Sequence, residues 1–173
     1  ARIDGISAIE RGGAEECAAV LIGKTVGAAD LVQLTECITD LYRARDFFLS
    51  RAIVPKQEVS DGILFVKVVE GYVADIVADG MSGDDARSQF GATLAERPTR
   101  LKTFERDLLL LADRNGYRVA SSQLLPDPQD LARYTFKVKV TIAQVAWRIH
   151  ADNRGSGSNG SDQLYGSLAW NSL

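Results

Sequence analysis

An amphipathic segment occurs twice in this 173-residue chain, about 70 residues apart. In the first copy Leu34, Ile38, Leu41 and Phe48 follow one another at helical spacing, so they share one face. Adding about 70 to each number leads to Phe104, Leu108, Leu111 and Tyr117, which repeat the face. A repeat of this length limits the chain to two similar units in series, because each copy must bury the same apolar stripe.

The register continues on both sides of the long helix. Pro55 and Pro126 each close a strand-like run, Leu49 to Val54 and Arg118 to Leu125. Beyond them Leu64, Val66 and Val68 correspond to Tyr134, Phe136 and Val138, with Thr135, Lys137 and Lys139 on the opposite face of the second run. That period of two predicts half-buried strands, and Asp61-Gly62 reads as the turn leading into the first. Upstream of each long helix a shorter one is expected, over Ala14 to Ile22 and over Ala86 to Leu94. Inward positions would be Cys17, Val20 and Leu21 in one, Ala86, Phe90 and Leu94 in the other. Glu15-Glu16 and Asp84-Asp85 read as acids of first helical turns, placed for capping rather than for acid–base chemistry. A strand precedes each helix pair, Ile3 to Ile9 and Tyr72 to Ala78. Each unit is therefore strand–helix–helix–strand–strand, a small sheet with helices on one face in an α+β arrangement. The short link Gly71-Tyr72-Val73 restricts how the units can turn against each other.

Composition removes several function classes. Lys and Arg number 20 against 23 acids, the net charge is −3, and the basic residues are scattered. A nucleic-acid stripe or polybasic membrane arm does not fit that distribution. No apolar run approaches the roughly 18–20 residues of a membrane helix. One histidine, two cysteines and no histidine–carboxylate cluster leave little for metal, cofactor or nucleophilic chemistry, so an enzyme is disfavoured. Cys17 and Cys37 fit no zinc spacing; they read either as small buried thiols or as a bridge. The chain opens at Ala1 without Met, and we expect a piece trimmed at both ends.

From Ala143 the pattern changes. Val145, Trp147 and Ile149 alternate with polar or small residues, a Gly/Ser/Asn stretch runs from Asp152 to Asp162, and Leu164, Gly166, Leu168 and Trp170 then share one face. Two strands of about eight to ten residues have the length used by outer-membrane barrels. Gly155-x-Gly157-x-x-Gly160 formally matches the dinucleotide fingerprint, but strand-like sequence follows where that motif requires a helix. His150 has no second ligand near it in sequence and reads as a barrel-strand residue.

Particular residues carry a family resemblance. Leu41-Tyr42-Arg43 through Leu49-Ser50-Arg51-Ala52, then Pro55, Gln57, Asp61-Gly62 and Val68-Val69-Glu70-Gly71, resemble the first periplasmic domain of two-partner secretion transporters of the haemolysin-activator type. The Leu101 to Leu111 helix with Asn115-Gly116-Tyr117 matches in the second copy, and Asp152-Asn153-Arg154-Gly155-Ser156 with Gly160 resembles the start of the family's barrel. The resemblance implies two tandem β-α-α-β-β units of the polypeptide-transport-associated (POTRA) type. Their bounds would be 1–72 and 73–142, with 143–173 as the first strands of a β-barrel. It also implies an outer-membrane parent in a Gram-negative bacterium, with this part on the periplasmic side. The partner would be a secreted exoprotein recognised through its N-terminal secretion domain, with neither nucleic acid nor small-molecule substrate. Extended substrate would add to an exposed sheet edge, and Phe47, Phe48, Ser50, Arg51, Ala52, Ile53 and Val54 are the expected binding residues.

The family usually has Gly-Tyr where Phe47-Phe48 stands here, so the turn must be made by another residue. The extra aromatic either enlarges an apolar groove or, with its neighbour, closes the domain core. Pro55, Gly62 and Gly71 read as turn residues without ligand contact. Periplasmic placement implies a disulfide between Cys17 and Cys37. The alternative function is a module of a barrel-assembly machine, whose depletion would lower many barrel proteins. A single-strand nucleic-acid binder is a more distant option, disfavoured by the acidic pI and the lack of a GXXG loop flanked by basic residues.

Overall fold

A computed structural model of the chain describes residues 1–58, 62–114, 116–142, 145–152 and 163–170. In the first unit the elements are β1 (Arg2–Asp4), α1 (Arg11–Ala19), α2 (Ala28–Arg43), β2 (Arg51–Ile53) and β3 (Phe65–Val69). The second repeats them as β4 (Tyr72–Asp79), α3 (Gly83–Gln89), α4 (Gly91–Ala95), α5 (Leu101–Ala112), β5 (Tyr117–Pro126) and β6 (Arg133–Ile142). The sheet orders are β1-β3-β2 and β4-β6-β5. In each, the first strand runs parallel to the central third strand and the second strand antiparallel to it. This is the expected mixed α+β fold, with β2 and β5 in corresponding edge positions.

The alternating strands bury the face their pattern selects. Leu64, Val66 and Val68 lie in one core, and Tyr134, Phe136 and Val138 in the other. Lys137 and Lys139 are exposed. Leu34 and Ile38 are buried on α2, and Phe104 and Leu111 on α5. Leu41 is only half-buried, and Tyr42 takes the inward place, four residues after Ile38.

Several local expectations are corrected. β1 ends at Asp4 rather than continuing to Ile9. Gly5 turns the chain at φ +88°, packed where any Cβ would meet the Val68 carbonyl, and Gly80 at φ +89° closes β4 against the Val140 carbonyl in the same way. α1 begins at Arg11 and takes in Gly12 and Gly13. Glu15 and Glu16 therefore lie past its first turn, and the buried positions are Ala14 and Ala18, with Val20 exposed. The short helix of the second unit is broken at Phe90, which ends α3, begins α4 and is fully buried. There Asp84 and Asp85 do stand in the first turn, and the Ser82 hydroxyl accepts from the Asp85 N–H at 3.1 Å. The strand after α2 is confined to Arg51–Ile53, because Pro55 has no N–H for β3. Gln57 replaces it: its side-chain amide accepts from Phe65 N–H and donates to Phe65 C=O, both at 2.8 Å.

β7 (Val145–Asp152) and β8 (Gln163–Trp170) pair antiparallel. The register sets Val145 against Trp170, Trp147 against Leu168 and Ile149 against Gly166, so the residues expected on one face are partners. Asp61, Asn115 and the glycine-rich stretch 153–162, including Gly155, Gly157 and Gly160, lie outside the described residues. His150 is described only as a backbone position in β7.

Candidate polypeptide-receiving site beside the junction of the two units

The expected binding residues follow the end of α2, where the chain must reverse. Asp46 makes the turn at φ +68°, a conformation its short polar side chain tolerates, and Phe47 N–H returns to Tyr42 C=O at 3.0 Å. The turn then divides its residues between two cores. Phe47 is buried in the first, 6.1 Å from the Tyr42 ring. Leu49 is buried in the second core, and the half-buried Phe48 packs against that core. Phe48, Phe104, Phe136 and Phe90 form a connected aromatic set with neighbouring centroids 4.8–6.4 Å apart.

Polar contacts fix the same junction. Leu101 N–H, at the start of α5, donates to Asp46 C=O at 2.7 Å, and Lys102 Nζ pairs with the Asp46 carboxylate at 2.8 Å. The Arg100 guanidinium lies over the Phe47 ring, 5.3 Å from its centroid. Thr99 N–H donates to Gly71 C=O at 3.1 Å, and the Thr99 hydroxyl accepts from Val73 N–H at 2.9 Å. The Ser50 hydroxyl accepts from Gly71 N–H, and Arg51 donates to the Tyr134 hydroxyl. A Cβ on Gly71 would run into the Leu49 backbone, so only glycine lets the two segments lie this close.

Of the seven expected binding residues, Phe47, Ser50 and Ala52 are buried, while Phe48, Arg51, Ile53 and Val54 are half-buried. β2 is an edge strand, packed beside α2. The Ala52 N–H is bonded to the Thr39 hydroxyl at 3.1 Å rather than to β3, and that hydroxyl donates to Thr35 C=O at 2.6 Å. The corresponding edge strand of the second sheet, β5, is ten residues long and exposes Ala120, Ser121, Ser122 and Gln123 in succession.

Sequence reasoning missed the role of the group that ties the end of β3 to α2 and to the loop before α1. The Glu70 carboxylate accepts from Ser7 N–H at 2.7 Å, Ala8 N–H at 2.8 Å, the Ser7 hydroxyl and the Tyr42 hydroxyl at 2.7 Å. Burial raises its pKa, but these hydrogen bonds outweigh burial and hold it below the ordinary carboxylate value. Burial first, then the bond to Glu70, pushes the Tyr42 hydroxyl upward. In the second unit the buried Asp107 carboxylate accepts from Thr93 N–H at 3.0 Å and its hydroxyl at 2.8 Å, and pairs with Arg106. A signal for Tyr42 existed in its spacing from Leu34 and Ile38; Glu70 stood in the Val68-Val69-Glu70-Gly71 stretch with no role assigned to it, and Asp107 carried no signal. Cys17 and Cys37 are joined in a disulfide between α1 and α2. Among the described residues there is no cluster of potential metal ligands, and no helix is long and apolar enough to cross a membrane.

The two units share one β-α-α-β-β topology and meet at a common turn, each with a short sheet whose edge strands end the pairing. Residues 1–71 match the family model described as POTRA domain, ShlB-type. Over 154 residues, 87% of the chain, the sequence is 25% identical to the outer membrane transporter CdiB of Escherichia coli, covering 26% of that protein. The CdiB of Dickeya dadantii is 26% identical over 141 residues, 82% of this chain and 25% of that protein. A shorter stretch of 55 residues, 32% of this chain, is 33% identical to the heme/hemopexin transporter protein HuxB of Haemophilus influenzae and covers 10% of it. Among solved structures, CdiB from Escherichia coli superposes with a TM-score of 0.79 at 21% identity, over 98% of this chain and 32% of that one. POTRA1-3 of Omp85 from Anabaena gives 0.58 at 16% identity, over 82% of this chain and 63% of that one, a likeness of fold alone. The chain is thus homologous over most of its length to CdiB two-partner secretion transporters, and it spans about a quarter of their length.

Proposed function

We propose that the chain is the periplasmic, substrate-receiving module of an outer-membrane pore that exports a partner exoprotein, and that it has no catalytic role. The secretion domain at the exoprotein's N-terminus arrives unfolded and adds as a strand to a sheet edge. The observation that carries this reading is the edge at β2, where a threonine hydroxyl, not a strand, holds the central Ala52 N–H. A carbonyl of the incoming chain takes over that donor, as backbone pairing at an open edge requires. Arg51, Ile53 and Val54 give side-chain selectivity, while Phe47, Phe48, Ser50 and Ala52 hold the strand in position from below.

β5 supports a second docking edge. It is ten residues long against three for β2, and it presents four exposed residues in a row. The same substrate segment adds there when more backbone pairing is required.

Hydrogen exchange on the chain with and without its partner's N-terminal secretion domain tests the reading. New protection along 51–54 or 117–126 is the expected result; absence of binding, or protection elsewhere only, would refute it. The sequence likeness to CdiB favours secretion of one partner over general barrel assembly. Depletion of the parent should accordingly lower one exoprotein rather than many barrel proteins.

A further inference from the structure

The helix layer of the first unit carries a second concave surface. α1 and α2 leave an open groove of about 390 Å³ between them, and none of its lining residues belongs to β2, to the 46–51 turn or to the second unit. Cys17, Val20 and Leu21 form one wall, and Leu34, Cys37 and Leu41 the other, with the disulfide crossing between them. Val20 is 64% exposed, and its neighbour Ile22 76%.

The rim supplies the polarity. Glu16 and Asp30 line the groove, no lining residue is basic, and neither acid forms an ion pair among the described residues. Asp30 accepts from Gly27 N–H at 2.8 Å as a helix cap, which leaves its charge in place. One wall is α2 and the other is α1 with the turn that follows it, where Leu21 and Ile22 N–H are bonded back to Ala18 and Ala19 C=O, so an extended chain would find few partners for its own N–H and C=O groups. A helix brings those bonds with it and needs only side-chain contacts.

We propose that this groove binds an amphipathic helical segment of a partner polypeptide, its aliphatic side chains seated over the Cys17–Cys37 bridge and a lysine or arginine set against Glu16 and Asp30. The site is independent of strand addition, because it uses neither sheet edge.

The test is a titration of the chain, followed by fluorescence anisotropy, with a labelled synthetic helical peptide. It carries leucines at i, i+3, i+4 and i+7 between lysine flanks, and a twin has glutamate flanks. The lysine peptide should bind at least about tenfold more tightly than its twin, a difference of one decade in Kd. Amide shifts should move within 13–21 and 30–41. Val20→Asp and Glu16→Lys alter exposed side chains and should each weaken the lysine peptide at least about fivefold, with circular dichroism unchanged. Equal affinity for the two peptides, binding of neither, or shifts confined to β2 or β5 would overturn the proposal. So would a sedimenting dimer that covers the groove.

Discussion

The ring of Phe48, on the turn that leaves the first long helix, lies 5.7 Å from the ring of Phe104 on the second long helix. Phe48→Ala removes that contact while Phe47 keeps its place in the first core. The expected cost is on the order of 2–3 kcal/mol, below that of a fully buried phenylalanine because Phe48 is only half-buried. Urea unfolding of residues 1–142 should become less cooperative, since the units lose one shared apolar contact while Leu49 keeps another.

Glu70→Gln should lower stability by roughly 1–3 kcal/mol, because four donors face an acceptor that has lost its charge. The pH dependence has a fixed sign. The folded pKa is lowered, so the stabilisation is complete above the ordinary value of 4.5 and fades as pH falls through the folded value. Urea midpoints measured between pH 7 and pH 3 should fall more steeply for the parent chain than for the variant. Equal slopes would remove Glu70 as the cause.

Gln57 separates hydrogen bonding from shape. Gln57→Glu keeps the length and one acceptor but cannot donate to Phe65 C=O, whereas Gln57→Ala loses both bonds. Losses of about 1 kcal/mol are expected for each at neutral pH. Amide exchange at Phe65 should accelerate in the alanine variant, and an unchanged rate would show that β3 does not need the side chain.

The disulfide joins two helices through cysteines 20 residues apart in sequence. Thiol titration of the denatured, unreduced chain should find no free thiol. Reduction should cost about 3 kcal/mol in the chain-entropy account. Two titratable thiols would show that the bridge is absent.

The sequence conveyed the repeat, the buried faces of β3 and β6, and Leu34, Ile38, Phe104 and Leu111 on the long helices, because those depend on spacing alone; Phe48 and Tyr117, read onto the same faces, fall beyond the ends of α2 and α5. It did not convey where elements end. β1 stops after three residues because Gly5 must pass the Val68 carbonyl, a long-range contact with no local signature. Phe90 splits a helix because its ring belongs to the aromatic set with Phe104 and Phe136. At the candidate site, Pro55 and Gln57 were visible as a motif, but their partnership at Phe65 appeared only in three dimensions. Phe47 and Phe48 were visible as an irregularity. That adjacent aromatics serve different cores could not be read from one strand of sequence, since both look equally apolar. The carboxylates of Glu70 and Asp107, one half-buried and one buried, were hidden for the opposite reason: such acids look like surface ones until their donors are assembled around them.

The division of the 46–51 turn also bears on where this molecule can be cut. The match to a single POTRA domain ends at residue 71, yet Leu49 is buried among second-unit residues and Phe48 packs beside it. A fragment ending there would carry both side chains into water at its C-terminal side. It would be a sticky end, prone to pair with whatever apolar surface it met, so a faithful half of this module does not exist at that boundary.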